Sequence, residues 1–577
     1  MKPTGYSPGP AQGQAAQVDF KDRLFERWTA LKTERSTWFP HWQELSTNIQ
    51  PRLGQFLVTD QNKGQKRHNN IYDSTGTRAL RILAAGMMAG VTSPARPWFR
   101  LSTQDPELAE FHSVKLWLAD VRRIMLDIFA RSNTYRALQT VYEELGCFGT
   151  AATIPLTNFD TVIHHYPTTI GQYCVASDPE GRVNTLFREM SKTVSELVRE
   201  FGWANVSITV KNLWNAGNLD AWVPILHVIE PRYDRDKSKA DALNMPYRSC
   251  YFEQGSAHGE YLREGGFLRF RPLVPRWQTN ANDIYGYSPG MEALGDIKQL
   301  QHEQLRKAQG IDYMTKPPLQ VPTAMKGREI NQLPGGVNYI DGSAQGGSIG
   351  SLFEVRLDLN HLLADIQDVR GRIEGAFYAD LFLMLAQTDK NMTATEVAER
   401  HEEKLLMLGP VLERLHDEML SPLVAGTFED ALRAGILPPP PPELGGVPVR
   451  VEFISMLAQA QRAVSTGALD RYVGTLGTVA QFKPQVLDKF DQDKWADAYA
   501  DALGVDPELI ISTEDATVVR EERAKQQAAA ERSAALNQTA DTAQKLGTVQ
   551  TKGGASNATN DIMSLFSGYA SPPAETY

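Results

Sequence analysis

Two amphipathic helical stretches, separated by about forty residues rich in Gly and Pro, constrain this chain more than any other feature. Met291, Leu294, Ile297, Leu300 and Leu305 share one side of a helical wheel, which predicts a helix from about residue 289. Its other side carries Asp296, Lys298, Gln299, His302, Glu303, Arg306 and Lys307. Pro317 and Pro318 stop it, because proline has no amide to donate and crowds the preceding turn. Leu362, Ile366, Val369, Ile373, Phe377 and Leu381 predict a second helix over 359–385. At about 1.5 Å per residue each rod would be roughly 35 Å long. The expectation is a hairpin of two matched rods with a knob at its tip, and short extended pieces at 319–321 and 337–340.

Upstream, Phe20, Leu24, Trp28, Leu31, Trp38, Trp42, Leu45 and Ile49 predict helix, divided at Pro40 and ended at Pro51. The three tryptophans are therefore core or interface anchors. Residues 73–91 predict a further helix, in which Gly86 and Gly90 lie one turn apart and suit close packing. Helices follow over 116–129 and 135–145. Tyr173, Val175 and Ser177 then alternate with their neighbours, Asp178-Pro179-Glu180-Gly181 has turn chemistry, and Val183, Thr185 and Phe187 alternate back. That is a β-hairpin. Strands are also expected over 223–229, 249–254 and 267–274.

Downstream, Thr393-Ala-Thr-Glu396 reads as a capping box opening a helix, in which Gly409-Pro410 should make a kink. Pro438 to Pro442 form an unbroken proline run, expected as a stiff linker. A strand at Val449, Val451 and Phe453 and helices over 456–480 and 494–503 follow. Residues 514–546 suit a long exposed or bundled helix. The fold class is thus α+β, mainly helical. The ends, 1–17 and 548–577, have too few large apolar side chains to offset their ordering entropy and are expected to be flexible.

The 577 residues imply two to four folded units. Cys147, Cys174 and Cys250 are far apart, which argues against a disulfide framework or zinc site and fits a reducing cytosol. No signal-peptide pattern is expected at the start, and the apolar run 82–91 is too short to cross a bilayer. A formal charge of −10 disfavours a DNA reader, although a protein that only surrounds DNA needs no basic surface. No phosphate-cradling G-x-x-x-x-G-K-[ST] motif, H-E-x-x-H or G-x-S-x-G occurs. His401-Glu402-Glu403 reads as a charged helix face, and His164-His165 as strand residues rather than metal ligands. Glu143-Glu144 are sequence neighbours on a helix and diverge. The densest basic patch, 63–68, reads as a solvated loop or subunit contact ahead of a phosphate site. No catalytic residue, metal or cofactor is expected.

An ordered set of motifs resembles the head-to-tail connecting (portal) proteins of short-tailed bacteriophages. The matching stretches are Arg35-Ser-Thr-Trp-Phe-Pro-His-Trp42, Ile71-Tyr-Asp-Ser-Thr-Gly-Thr-Arg-Ala-Leu80 and Gly90-Val-Thr-Ser-Pro-Ala-Arg-Pro-Trp98. Leu333-Pro-Gly-Gly-Val-Asn338, Thr393-Ala-Thr-Glu-Val-Ala-Glu-Arg400, Leu408-Gly-Pro-Val-Leu412 and Ile454-Ser-Met-Leu-Ala-Gln-Ala-Gln-Arg462 continue it.

The resemblance implies a portal fold with these parts: an α/β wing over 18–288, stem helices over 289–315 and 358–386, and a small α/β clip over 316–357. It further implies a tunnel loop over 387–392, a kinked channel helix and wing over 393–455, and helical crown over 456–547. By the same resemblance the tunnel loop, Gln387, Thr388, Asp389, Lys390 and Asn391, faces DNA. Glu396, Glu399, Arg400, Glu403 and Lys404 lie on the channel helix. In the clip, Lys326, Arg328, Glu329, Pro334, Gly335, Gly336 and Asn338 dock the motor and adaptors.

The implied function is a ring of about twelve copies at one capsid vertex, assembled in the host cytoplasm, through which DNA is packaged and ejected. Its implied partners are further copies of itself, double-stranded DNA held without sequence specificity, the terminase large subunit, tail adaptor or nozzle proteins, and capsid and scaffolding proteins, with no membrane. Between Ala394 and Leu420, seven acidic residues face three basic ones. That excess would let DNA slide, and it equally fits a solvated helix face. The alternatives are a non-ring virion scaffold or adaptor and, disfavoured by the absent phosphate loop, a packaging enzyme.

Overall fold

The computed structural model describes residues 13–56, 71–103, 105, 108, 111–255, 261–281, 283–320, 350–351, 359–386, 408–445, 449–453, 471–480, 482–483, 485–486, 490–503 and 513–547. It divides into two compact units, 1–467 and 468–577.

The first unit opens with α1 (Gly13–Ser36), α2 (Phe39–Asn48) and α3 (Thr75–Gly90), then β1 (Phe99–Thr103), α4 (His112–Arg131) and α5 (Thr134–Phe148). A hairpin of β2 (Ala152–Asn158) and β3 (Val162–Thr168) follows. Next come β4 (Tyr173–Ser177), β5 (Val183–Thr193), α6 (Val194–Phe201), α7 (Ile208–Asn215), β6 (Trp222–Pro231), β7 (Tyr247–Glu253) and β8 (Arg263–Phe267). Strands β4 to β8 form one antiparallel meander in sequence order.

The meander is sandwiched, as the period-two alternation of its strands requires. Cys174, Phe187, Val228 and Cys250 share one face and pack with Leu24, Phe20, Phe25 and Trp28 of α1. The opposite row runs Tyr173, Arg188, His227, Tyr251 and Arg263. His227 stacks on Tyr251 at 3.8 Å, and Arg263 lies over Tyr251 at 4.7 Å. Helices α6 and α7 cover one end of that face around a small core of Val194, Leu197, Phe201, Val206 and Val210. The main core gathers α2 to α5, the β2–β3 hairpin and the helical hairpin that follows. Trp42, Phe99, Phe129 and Phe148 are wholly buried in it.

The helical hairpin is α8 (Pro289–Thr315) and α9 (Leu359–Ala376), joined across a two-residue ladder of β9 (Leu319–Gln320) and β10 (Gly350–Ser351). Then come α10 (Ala379–Ala386), α11 (408–433) and β11 (Val449–Phe453), which pairs with β1. The second unit holds α12 (471–480), α13 (Gln492–Leu503) and the exposed α14 (Thr513–Gly547). Within it Arg520 grips Asp493 with two hydrogen bonds, at 2.7 and 2.5 Å.

Several expectations need correction. The second rod is not one helix: it breaks at Phe377 and Tyr378. Phe377 is wholly buried, Tyr378 takes φ +55 and bonds back to the Gly375 carbonyl, and a new helix starts there. The turn redirects α10 so that Phe382 lies over Gly86, where a Cβ would stand 2.1 Å from the ring. The rods are therefore unmatched, 27 residues against 18. Among the described residues Gly90 has no such neighbour, so of the two glycines Gly86 is the one at a close approach.

The turn that a kink at Gly409-Pro410 would involve lies outside the described residues; within the described part of α11 the α-helical pattern yields at a π-turn, His416–Leu420. Pro422 has no amide for the Glu418 carbonyl, and the widened turn lets Ser421 bond to His416 instead. The strand expected over 267–274 sits earlier, at β8, where Gly265-Gly266 disguised it. Gly266 is needed there because a Cβ would meet the Ala242 carbonyl at 2.4 Å.

Helix α1 begins at Gly13, inside the expected N-terminal tail, because Gln and Ala there are good helix formers. The proline run is a strap, not a free linker: Trp117 donates its indole N–H to the Pro438 carbonyl at 3.0 Å, and Leu437 and Leu444 anchor it on either side. The basic patch 63–68, the piece at 337–340, His401 to Glu403 and the helical stretch 456–470 lie outside the described residues.

Candidate functional site

The tunnel-loop residues Gln387 to Asn391, the channel-helix residues Glu396, Glu399, Arg400, Glu403 and Lys404, and the clip residues Lys326, Arg328, Glu329, Pro334, Gly335, Gly336 and Asn338 all lie outside the described residues. What the structure does show is how the ends of those segments are held. The β9–β10 ladder brings Gln320 and Gly350 into register, so the excursion 321–349 leaves and returns at one point. The segment 387–407 runs from the end of α10 to the start of α11, where Leu408 is buried.

Three polar clamps fix these supports. At the first, Asp73 joins α3 to both rods. Its carboxylate accepts from Arg370 of α9 at 2.7 Å and from Gln304 of α8 at 2.9 Å. Gln301 accepts the Tyr72 and Asp73 amides and donates to the Asp73 carbonyl. Burial raises the Asp73 pKa, but bonds from Thr75 and Arg370 outweigh it and hold the carboxyl below its usual range. At the second clamp Glu418, in the π-turn, accepts both the backbone N–H of Arg276 at 2.8 Å and its guanidinium at 2.5 Å. At the third, Arg271 grips Asp430 with two bonds, at 2.6 and 2.5 Å. Sequence reading found none of the three, since each joins residues more than 140 positions apart. Between the last two clamps lies a cleft of about 830 Å³ lined by Arg182, Arg269, Glu413, Asp417, Pro422 and Leu423.

The buried titratable groups are disposed for structure. Desolvation pushes the Cys174 thiol up to about 12 and holds His165 down to about 4. His227 is wholly buried and held well below its usual range, mainly by burial and then by Arg188. Among the described residues no three His, Cys, Asp or Glu side chains gather as a metal site. No described helix is long and apolar enough to cross a membrane.

A family profile described as the bacteriophage head to tail connecting protein matches residues 21–511. The chain belongs to this family. It is accordingly a structural protein of the virion at the junction of head and tail, and not an enzyme. It is 60% identical over 547 residues to the probable portal protein of Bordetella phage BPP-1, covering 95% of this chain and 98% of that one. It is 45% identical over 533 residues to the portal protein of Salmonella phage epsilon15, covering 92% of this chain and 96% of that one. A chain in the neck of a native gene transfer agent particle is 10% identical, covers 70% of this chain and 85% of its own length, and has a TM-score of 0.33.

Proposed function

We propose that the chain is a portal subunit: about twelve copies close into a ring whose bore passes double-stranded DNA in packaging and ejection. Likeness over nearly the whole length to two portal proteins carries the reading. The count of twelve is the one the family resemblance implies, and geometry gives a partial check on it. Helices about 10 Å across, side by side in a ring of n, leave a bore of about n×10/π − 10 Å. Twelve leave roughly 28 Å and eight roughly 15 Å. A duplex is roughly 20 Å wide, so eight are too few. The stem is then α8 and α9, the clip 316–357 docks the terminase motor and tail adaptors through the residues named above, and 456–547 forms the crown. Electron microscopy of purified protein should show closed rings of about twelve. A monodisperse monomer at micromolar concentration, unchanged by adding capsid or scaffolding protein, overturns the reading.

In such a ring the segment 387–391 projects toward the axis, and Lys390 is the cation set to touch phosphates ahead of an acidic channel helix. A few screened contacts would brake backsliding without stopping transit. Lys390→Ala should leave ring assembly intact and lower DNA retention. Equal retention by variant and wild type over a range of salt would reduce the segment to a connector.

A further inference from the structure

We propose that α10 is a lever with two positions. It is bent at Phe377 and Tyr378 while Phe382 sits in the notch at Gly86, and straight, continuing α9, when Phe382 leaves that notch. The inference goes beyond the ring reading and does not depend on it.

The bend has no local cause. Sharp helix bends arise at Pro, at Gly, or where a π-turn or an inserted group interrupts the hydrogen-bond ladder. Neither Pro nor Gly occurs between Ala376 and Ala386. The apolar stripe Ile366, Val369, Ile373, Phe377 and Leu381 keeps its steps of three and four across the break, and all five are buried. One unbroken helix would carry the same stripe. Tyr378 instead takes φ +55, a left-handed conformation that is costly for a residue with a Cβ. Local preference therefore opposes the bend, and tertiary contacts impose it.

Those contacts are few and apolar. Phe377 is wholly buried, and the Tyr378 ring lies 6.2 Å from that of buried Trp277. Phe382 fills the notch at Gly86, where any Cβ would run into its ring. Elsewhere the helices are tied by charge: α3 to α9 through Asp73 and Arg370 at 2.7 Å, and α8 to α9 through Asp296 and Arg372 at 3.5 Å. Helix α10 carries one charged residue, Asp380, which is exposed and makes no ion pair among the described residues. A strained turn held only by apolar contacts is poised between two packings, because packed elements switch between discrete arrangements and do not deform smoothly.

The seat belongs to α3, whose start is fastened to both rods at Asp73. A shift of α3 along the rods draws the Gly86 notch from under Phe382 and frees α10 to straighten. At about 1.5 Å per residue α10 is about 12 Å long, so its far end swings by on the order of 10 Å. Residues 387–407 begin where α10 ends, so the lever decides where that segment leaves the subunit.

The test uses the full-length chain, whose three native cysteines are buried. Spin labels go on Asp368→Cys and Ala386→Cys, and labelled chains are diluted into unlabelled ones. Pulsed electron resonance should give two separations, one of about 27 Å, the span of a straight helix, and one shorter. Tyr378→Gly relieves the left-handed backbone and weakens the straight helix, so it should raise the short-to-long ratio by about fivefold or more. Gly86→Leu fills the notch and Phe382→Ala empties it, and each should lower that ratio by about fivefold or more. Phe382→Ala decides the matter if Gly86→Leu fails to fold. A ratio that does not move in opposite directions in Tyr378→Gly and Phe382→Ala overturns the lever. Both labels sit in one chain, so the outcome is independent of ring formation, and failure of the ring reading would leave it standing.

Discussion

Arg271→Met should destabilise the first unit by about 3–5 kcal/mol, the cost of leaving one partner of a buried ion pair alone. Asp430 is 1% exposed and Arg271 9%, and the guanidinium fills both carboxylate oxygens. Methionine keeps much of the arginine stem's packing, so the loss isolates the charge. The stranded carboxylate must then protonate or draw in water, against the core around Leu423 and Ala431. Replacing both partners, Arg271→Met with Asp430→Leu, should recover most of the loss, because an apolar pair removes the desolvation cost altogether. Arg123→Ala is the control: it breaks an exposed pair with Asp120 and should cost less than about 1 kcal/mol. Urea unfolding of unassembled chains at matched concentration measures all three, since ring formation would add its own stabilisation. If Arg271→Met costs no more than the control, the clamp is not what holds α11 to the segment between β8 and α8.

Glu144→Gln should stabilise the same unit at pH 8 by up to about 3 kcal/mol. The Glu144 carboxyl is 1% exposed on α5. It accepts from the Thr169 hydroxyl at 2.5 Å and the Ile170 amide at 3.2 Å, beneath the turn where Gly54 and Gln55 attach. Desolvation dominates those bonds, Glu143 adds repulsion, and its pKa rises from 4.5 to about 7. The folded state therefore keeps this proton between pH 4.5 and 7 while the unfolded chain releases it. The group's contribution is fully present below 4.5 and is lost as pH rises to 7. The difference of about 2.5 units, 7 less 4.5, corresponds to about 3 kcal/mol. The glutamine variant has no proton to lose. Its stability should fall less between pH 5 and 8 than that of the wild type, and parallel pH curves for the two would refute the assignment.

The candidate site was legible in part, and only by likeness. Periodicity located α8 and the start of α9, and the Gly- and Pro-rich stretch between them marked an excursion. Nothing in residue type or spacing distinguishes Lys390 as a DNA contact from Lys390 as an ordinary loop residue. Its reading came from the ordered motifs shared with the connector family. The anchoring of the flanking segments was invisible for a different reason. Asp73 and Arg370 are unremarkable charges until 297 residues of chain have been folded between them. Helices α6 and α7 could have been found: Thr193 and Glu196 form a reciprocal capping box, and Ser207 caps the next helix at Val210.

What the sequence by itself determined are the features whose causes are local. Pro40 opens α2 in its first turn, Pro317 ends the long rod, and the turn at Asp178 to Gly181 closes β4 on β5 with Gly181 at φ +80. Each is settled by sterics or hydrogen bonding within a few residues. Only the tertiary structure decided the break at Tyr378, the proline strap and the two buried arginine clamps. In each of these a distant partner outweighs local preference: Gly86 makes room for Phe382, Arg276 holds Glu418, Trp117 ties Pro438, and Arg271 neutralises Asp430. A helical pattern specifies which face is apolar, but not where a neighbouring element will require the helix to turn.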